Sequence, residues 1–137
     1  MATYRDLFVR HLNIEGIKFV EYEDQNHIKI TYEGDNLNTI PIHIFFDEDG
    51  DPYVQFKCWD IQNFKGKEAK GILACNMINK QYRWVKFYLD DDADIVASID
   101  GYIDIASCGE ECLSLVRRVV SITDDAYPTF AKAKWAD

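Results

Sequence analysis

The chain has 137 residues, of which 47% are hydrophobic and 14% aromatic, and it carries 24 acidic against 15 basic side chains for a formal net charge of -9. That is enough apolar surface for one core, in one domain over residues 1–137, without disulfide or metal staples. With no basic cluster to displace counterions, nucleic acid and anionic membranes are excluded as partners. No run reaches the ~18 apolar residues of a membrane span, and no basic-then-apolar leader opens the chain. The expectation is a soluble, cytoplasmic protein.

Thr3-Tyr4-Arg5-Asp6 reads as a capping box with Asp in the third helical position. Tyr4, Leu7, Phe8, His11 and Leu12 follow at helical spacing, and Gly16 supplies the stop. From Ile17 the period becomes two. Segments 17–22 and 27–32 flank the turn Asp24-Gln25-Asn26. A polar loop from Glu33 to Asn38 leads to a third strand over 40–46, where Ile40, Ile42, Ile44 and Phe46 alternate. Pro41 places that strand's start, or an edge, at this point. The acidic turn 47–52 leads into a fourth strand, 53–59. Short connections imply an antiparallel meander.

Gly66-Lys67-Glu68 opens a second helix carrying Ala69, Ile72, Leu73, Asn76 and Ile78. It ends near Asn79, and an aromatic strand over 82–89 follows, with the turn Asp90–Asp94 and a return strand from Ile95 to Ile99. Ser107-Cys108-Gly109-Glu110 matches Ser-x-x-Glu and starts the longest helix, with Leu113, Leu115, Val116, Val119, Val120, Ile122 and Ala126 on a wide apolar surface. Pro128 disfavours helical geometry at Tyr127, so this helix is expected to end or kink there. Phe130 and Trp135 then fall in a loose tail. The order α-β-β-β-β-α-β-β-α, with strands grouped in runs, predicts an α+β fold: an antiparallel sheet of five to six strands with three helices.

That order, joined to Asn76-x-x-Asn79, the strand Arg83-Trp84-Val85-Lys86-Phe87-Tyr88-Leu89 with its Asp-rich turn, and Asp125-Ala126-Tyr127-Pro128, resembles the YbjN family. Members of that family are described as bacterial sensory transduction regulators. The resemblance covers most of the chain and is specific from about Ala74 to Asp100. It implies a fold like that of type III secretion chaperones, often paired into homodimers, and it carries over no catalytic residues.

The residues themselves point away from catalysis. His11, His27 and His43 stand without a nucleophile elbow, an HExxH pair or a phosphate loop, so no catalytic residue and no cofactor is expected. Cys58, Cys75, Cys108 and Cys112 lack zinc-site spacing and read as reduced, apolar packing residues. The turns Asp47-Glu48-Asp49-Gly50-Asp51 and Asp90–Asp94 are read as solvated tips rather than metal sites. The first has strands on both sides and Cys58 where a calcium loop needs Glu. Asn76 and Asn79, at i and i+3, are expected to be structural amides bonding a neighbouring strand or loop.

One surplus remains. Alternation places Val85, Phe87 and Leu89 on one face and Tyr82, Trp84, Lys86 and Tyr88 on the other; Tyr53, Gln55, Lys57 and Trp59 make a matching set on the fourth strand. Trp and Tyr mixed with Lys and Gln is the blend of a protein interface. Tyr53, Trp59, Tyr82, Trp84, Lys86 and Tyr88 are therefore the candidate interaction face, with cover by the third helix as the alternative. The leading expectation is a non-enzymatic interaction or chaperone-like regulatory module binding a protein segment or a second copy. The runner-up is a small-ligand or metal sensor, or an enzyme, using a site between the sheet and the second helix.

Overall fold

A computed structural model describes residues 2–24, 26–47 and 50–136. Gln25 of the first turn and Glu48 and Asp49 of the acidic loop lie outside the described residues. The first helix, α1, spans Tyr4–Glu15. Thr3 and Asp6 form the reciprocal cap, and Gly16, at φ 71°, closes the helix. The Gly16 N–H donates to Asn13 and the Ile17 N–H to the Leu12 carbonyl. Ile17 therefore belongs to the helix end, and the first strand starts three residues later than the alternation indicated.

The strands are β1 (Val20–Tyr22), β2 (His27–Tyr32), β3 (Ile40–Phe46), β4 (Tyr53–Cys58), β5 (Lys86–Leu89) and β6 (Ile95–Tyr102). They make one antiparallel sheet in the order β1-β2-β3-β4-β6-β5. Helix α2 spans Glu68–Gln81 and α3 spans Cys108–Trp135, preceded by a 3-10 turn over Ile105–Ser107. The expected α+β architecture is thus observed, with the strand and helix order read from the sequence.

One side of the sheet carries Ile28, Ile30, Ile40, Ile42, Ile44, Val54, Phe56, Ile95, Ala97 and Phe87, all buried. The helices cover this side. Phe8 of α1 meets Phe46 at a ring-centroid distance of 6.2 Å, and Phe130 of α3 meets Phe87 at 5.3 Å. Burying each such side chain stabilises the fold by roughly 1.5–3 kcal/mol. A side chain at Gly109 would strike the ring of His11 at 2.5 Å, so this glycine sets how closely α3 crosses α1.

Three local expectations are corrected. Helix α2 buries Gly71, Ala74, Cys75 and Ile78, leaving Ile72, Leu73 and Met77 exposed. Gly71 causes the rotation: a Cβ there would meet Phe64 at 2.9 Å, so the glycine side is the side that docks. Ser107 makes no side-chain cap at α3. Asp104 caps the preceding 3-10 turn by accepting the Ala106 N–H, and Glu111 reaches back to the Asp104 N–H at 3.0 Å.

Finally, α3 does not end at Tyr127 but continues through Pro128 to Trp135. A mid-helix proline removes the donor to the carbonyl four residues earlier, here that of Asp124. The Asn36 side-chain amide donates to that carbonyl at 3.1 Å. In return the Asp124 carboxylate accepts the backbone N–H groups of Asp35, Asn36 and Leu37 at 2.8–3.0 Å. The loop after β2 therefore repairs the helix that its own backbone leans on. Desolvation opposes it, but the three N–H donors hold the Asp124 carboxyl below its ordinary range.

Candidate functional site

The opposite side of the sheet has no helix on it among the described residues. Register fixes what it presents. Val20, Lys29, His43, Lys57, Ser98 and Lys86 form one row across all six strands. Tyr22, His27, Phe45, Gln55 and Asp100 form the next. Tyr53 faces Tyr102, and Tyr88 faces Val96. Alternation from Lys57 places Trp59 on this side, one residue beyond β4.

On the β1–β4 half these side chains stack into an aromatic ladder. Tyr22 lies on His27 at 4.7 Å, His27 on Phe45 at 4.2 Å, and His43 on Trp59 at 4.1 Å between ring centroids. His27 Nε2 and His43 Nδ1 share a hydrogen bond of 2.8 Å, so at most one ring carries that proton. Desolvation beneath the stack lowers both histidines. His43, further disfavoured by His27 and Lys29, is pushed down to about 4. Among the described residues, each ring's side-chain hydrogen bond is to the other and none is to a carboxylate.

On the β4–β6–β5 half the surface is cationic. Lys57 Nζ lies 3.4 Å from the Tyr88 hydroxyl. The ammonium groups of Lys57 and Lys86 sit 6.0 and 5.7 Å from the Tyr88 ring centroid. The ion pairs among the described residues are Arg5–Glu21 and His11–Glu15, so Lys29, Lys57 and Lys86 have no carboxylate within 4.0 Å.

Of the six residues expected on this face, Tyr53, Trp59, Lys86 and Tyr88 are there, and Tyr82 and Trp84 are not. The strand begins only at Lys86. Tyr82 closes the last turn of α2, its N–H donating to Ile78. Trp84 adopts φ 76°, a left-handed conformation that breaks the alternation. Both side chains turn toward α3. The Tyr82 hydroxyl donates to the Asp125 carboxylate, and the Arg118 guanidinium lies over the Trp84 ring at 4.5 Å. Burial, then that carboxylate, pushes the Tyr82 phenol up to about 12.

The paired amides also separate. Asn79 donates to the Phe87 carbonyl at 2.9 Å and accepts the Phe87 N–H at 2.8 Å, completing the edge strand as a seventh strand would. Asn76 is exposed. With Asn79 engaged and Asn76 turned outward, the pair does not line a site between sheet and α2. The His27–His43 bond was not anticipated, although both residues fall in segments read as strands; their pairing follows from a β2–β3 register that needed the turn geometry.

The remaining chemistry-bearing groups lie in the core or in turns. All four cysteines are free and buried; burial pushes Cys58 up to about 12 and Cys75 up to about 11. Cys108 and Cys112 touch, Sγ to Sγ 4.0 Å, on the core side of α3. At the β5–β6 turn, Asp90 accepts the N–H groups of Asp92 and Asp94, and Asn63 donates to Asp94. The carboxylates of Asp90, Asp92 and Asp94 lie within 4.8 Å of one another. No helix among the described residues is long and apolar enough to cross a membrane.

The family model described as "putative bacterial sensory transduction regulator" matches residues 62–132, more than half of the chain. The chain belongs to the YbjN family. The match takes in α2, the β5–β6 hairpin and nearly all of α3, including Asn79, Tyr82 and Asp125. The solved YbjN of E. coli, described as "a putative transcription regulator", superposes with a TM-score of 0.70 at 15% identity, over 96% of this chain and 92% of that one. The Yersinia pestis type III secretion chaperone SycH, solved with a stable fragment of YscM2, superposes with a TM-score of 0.56 at 16% identity, over 88% and 97%. These likenesses establish a fold shared with YbjN and with a secretion chaperone. No curated protein matches by sequence.

Proposed function

We propose that this YbjN-family chain is a non-enzymatic, cytoplasmic regulatory module that captures a protein segment on the helix-free face of its sheet. The observation that carries this reading is that face itself: a stacked aromatic ladder beside lysines with no ion-pair partner among the described residues, on the side of the sheet that the core does not need. Large amphipathic anchors with polar handles are what protein interfaces select. The fold shared with a secretion chaperone solved on a protein fragment supports the same reading.

Pairing of two copies is supported by a second surface. Ile72, Leu73 and Met77 of α2 are 58, 64 and 61% exposed and adjoin along the helix. A homodimer through α2 leaves the sheet face free for its partner. Light scattering is expected to report a dimer, and Leu73→Glu with Met77→Glu a monomer that still folds. Affinity capture from the native cell, with wild type and Trp59→Ala as baits, tests the face. The variant should lose partners that the wild type retains; identical captured sets would sink the proposal.

A further inference from the structure

We infer that the β4–β6–β5 half of the helix-free face docks an acidic, extended protein segment, whose carboxylates seat between Lys57 and Lys86. This rests on the face being the interaction surface and adds the chemistry of its partner. Lys57, Ser98 and Lys86 stand side by side on three adjacent strands. The two lysines are thus about 10 Å apart at the backbone, on either side of a buried Ser98. Tyr88 lies beside the pair, with its hydroxyl against Lys57 and its ring near both ammonium groups. A carboxylate set beside Tyr88 would meet both ammonium groups.

The charge balance selects an acidic occupant. The chain has nine more acids than bases, yet its strand residues on this face include three lysines, Lys29, Lys57 and Lys86, against Asp100 alone. None of the three has an internal carboxylate partner among the described residues. Unpaired like charges held in one row are complementary to acid from outside. Nucleic acid fits less well: three lysines release few counterions, and the rest of the molecule repels phosphate. A second copy meeting face to face about a two-fold axis would set the lysine row against itself. Next to the lysine pair, Trp59 and Phe45 offer a bed for an apolar residue of the same segment.

Fluorescence anisotropy on the full chain tests this with three labelled probes: a Glu/Asp-rich decapeptide with a central Phe, the same peptide with Gln for every acid, and oligothymidine. The acidic peptide should bind saturably and weaken as salt rises. Lys57→Glu with Lys86→Glu should cost it about tenfold or more in affinity at an unchanged melting temperature. Equal binding of the Gln peptide, or an unmoved affinity in the double variant, overturns the inference, as does tighter binding of oligothymidine or no binding of the acidic peptide. If Trp59→Ala still loses captured partners under any of those results, the face keeps its function and only the partner's chemistry is wrong.

Discussion

The two sides of this sheet are written by the same strands, one residue out of phase, and they differ in what each residue costs to change. The covered side is aliphatic and aromatic, almost wholly excluded from water, with helix side chains filling the gaps. The open side holds histidines in a hydrogen-bonded pair, tyrosines, a tryptophan and lysines that form no ion pair among the described residues. Stability accounts for the first set. It does not account for the second, because a sheet with one solvated face needs only polar residues there. What the contrast teaches is that the surplus on the open side is the place to look for function.

The contrast is broken most forcefully in the core. Phe56→Ala or Phe87→Ala should destabilise by ~3–5 kcal/mol, whereas Lys57→Ala, one residue away on the other face, should stay within about 0.5 kcal/mol. Urea unfolding midpoints compare them directly, and similar losses at Phe56 and Lys57 would mean the faces are not distinct. Next in size, Asn79→Ala strips the donor and acceptor that complete β5. A loss of ~1–3 kcal/mol is expected, with amide exchange at Phe87 quickening before that of β3.

The open face should report itself through pH. His43 falls from 6.5 to about 4 in the folded chain, and His27 is lowered too. Between those values the unfolded chain binds more protons than the folded one, so stability is full above about pH 6.5 and falls as the pH drops toward 4. Partial solvent screening holds the His43 contribution to ~1–2 kcal/mol. Chemical unfolding of wild type and His43→Phe at a series of pH values checks it. The wild-type slope in this window should be shallower in the variant, and identical slopes would contradict the pair. Smallest of all, Trp84→Ala should cost about 1 kcal/mol or less, the worth of an exposed cation–π contact, and leave capture untouched, while Trp59→Ala impairs capture.

Much of the fold was legible because period and punctuation agree. β2 and β3 lie where alternation put them, and Thr3, Asp6 and Gly16 delimit α1 as their chemistry requires. What was not legible depended on contacts distant in sequence. The continuation of α3 past Pro128 rests on Asn36, nearly ninety residues away. The rotation of α2 rests on Gly71 meeting Phe64. At the candidate face, Tyr53, Trp59, Lys86 and Tyr88 could be placed by parity alone. Tyr82 and Trp84 could not, because a left-handed Trp84 shifts the phase and parity carries no signal of that. The stretch that marks the family, from α2 into β5, is mostly scaffold: Asn79 and Tyr82 fasten the hairpin and α3 to the helix.

Site-specific photocross-linking in the native cell tests most directly whether the open side of the sheet is where partners bind. A photoreactive residue at Gln55, in the centre of that side, should yield adducts with another protein, and Lys57→Glu with Lys86→Glu should abolish them. The same residue at Ile72 of α2 should yield only the chain linked to itself. Partner adducts from Ile72 and none from Gln55 would contradict the account.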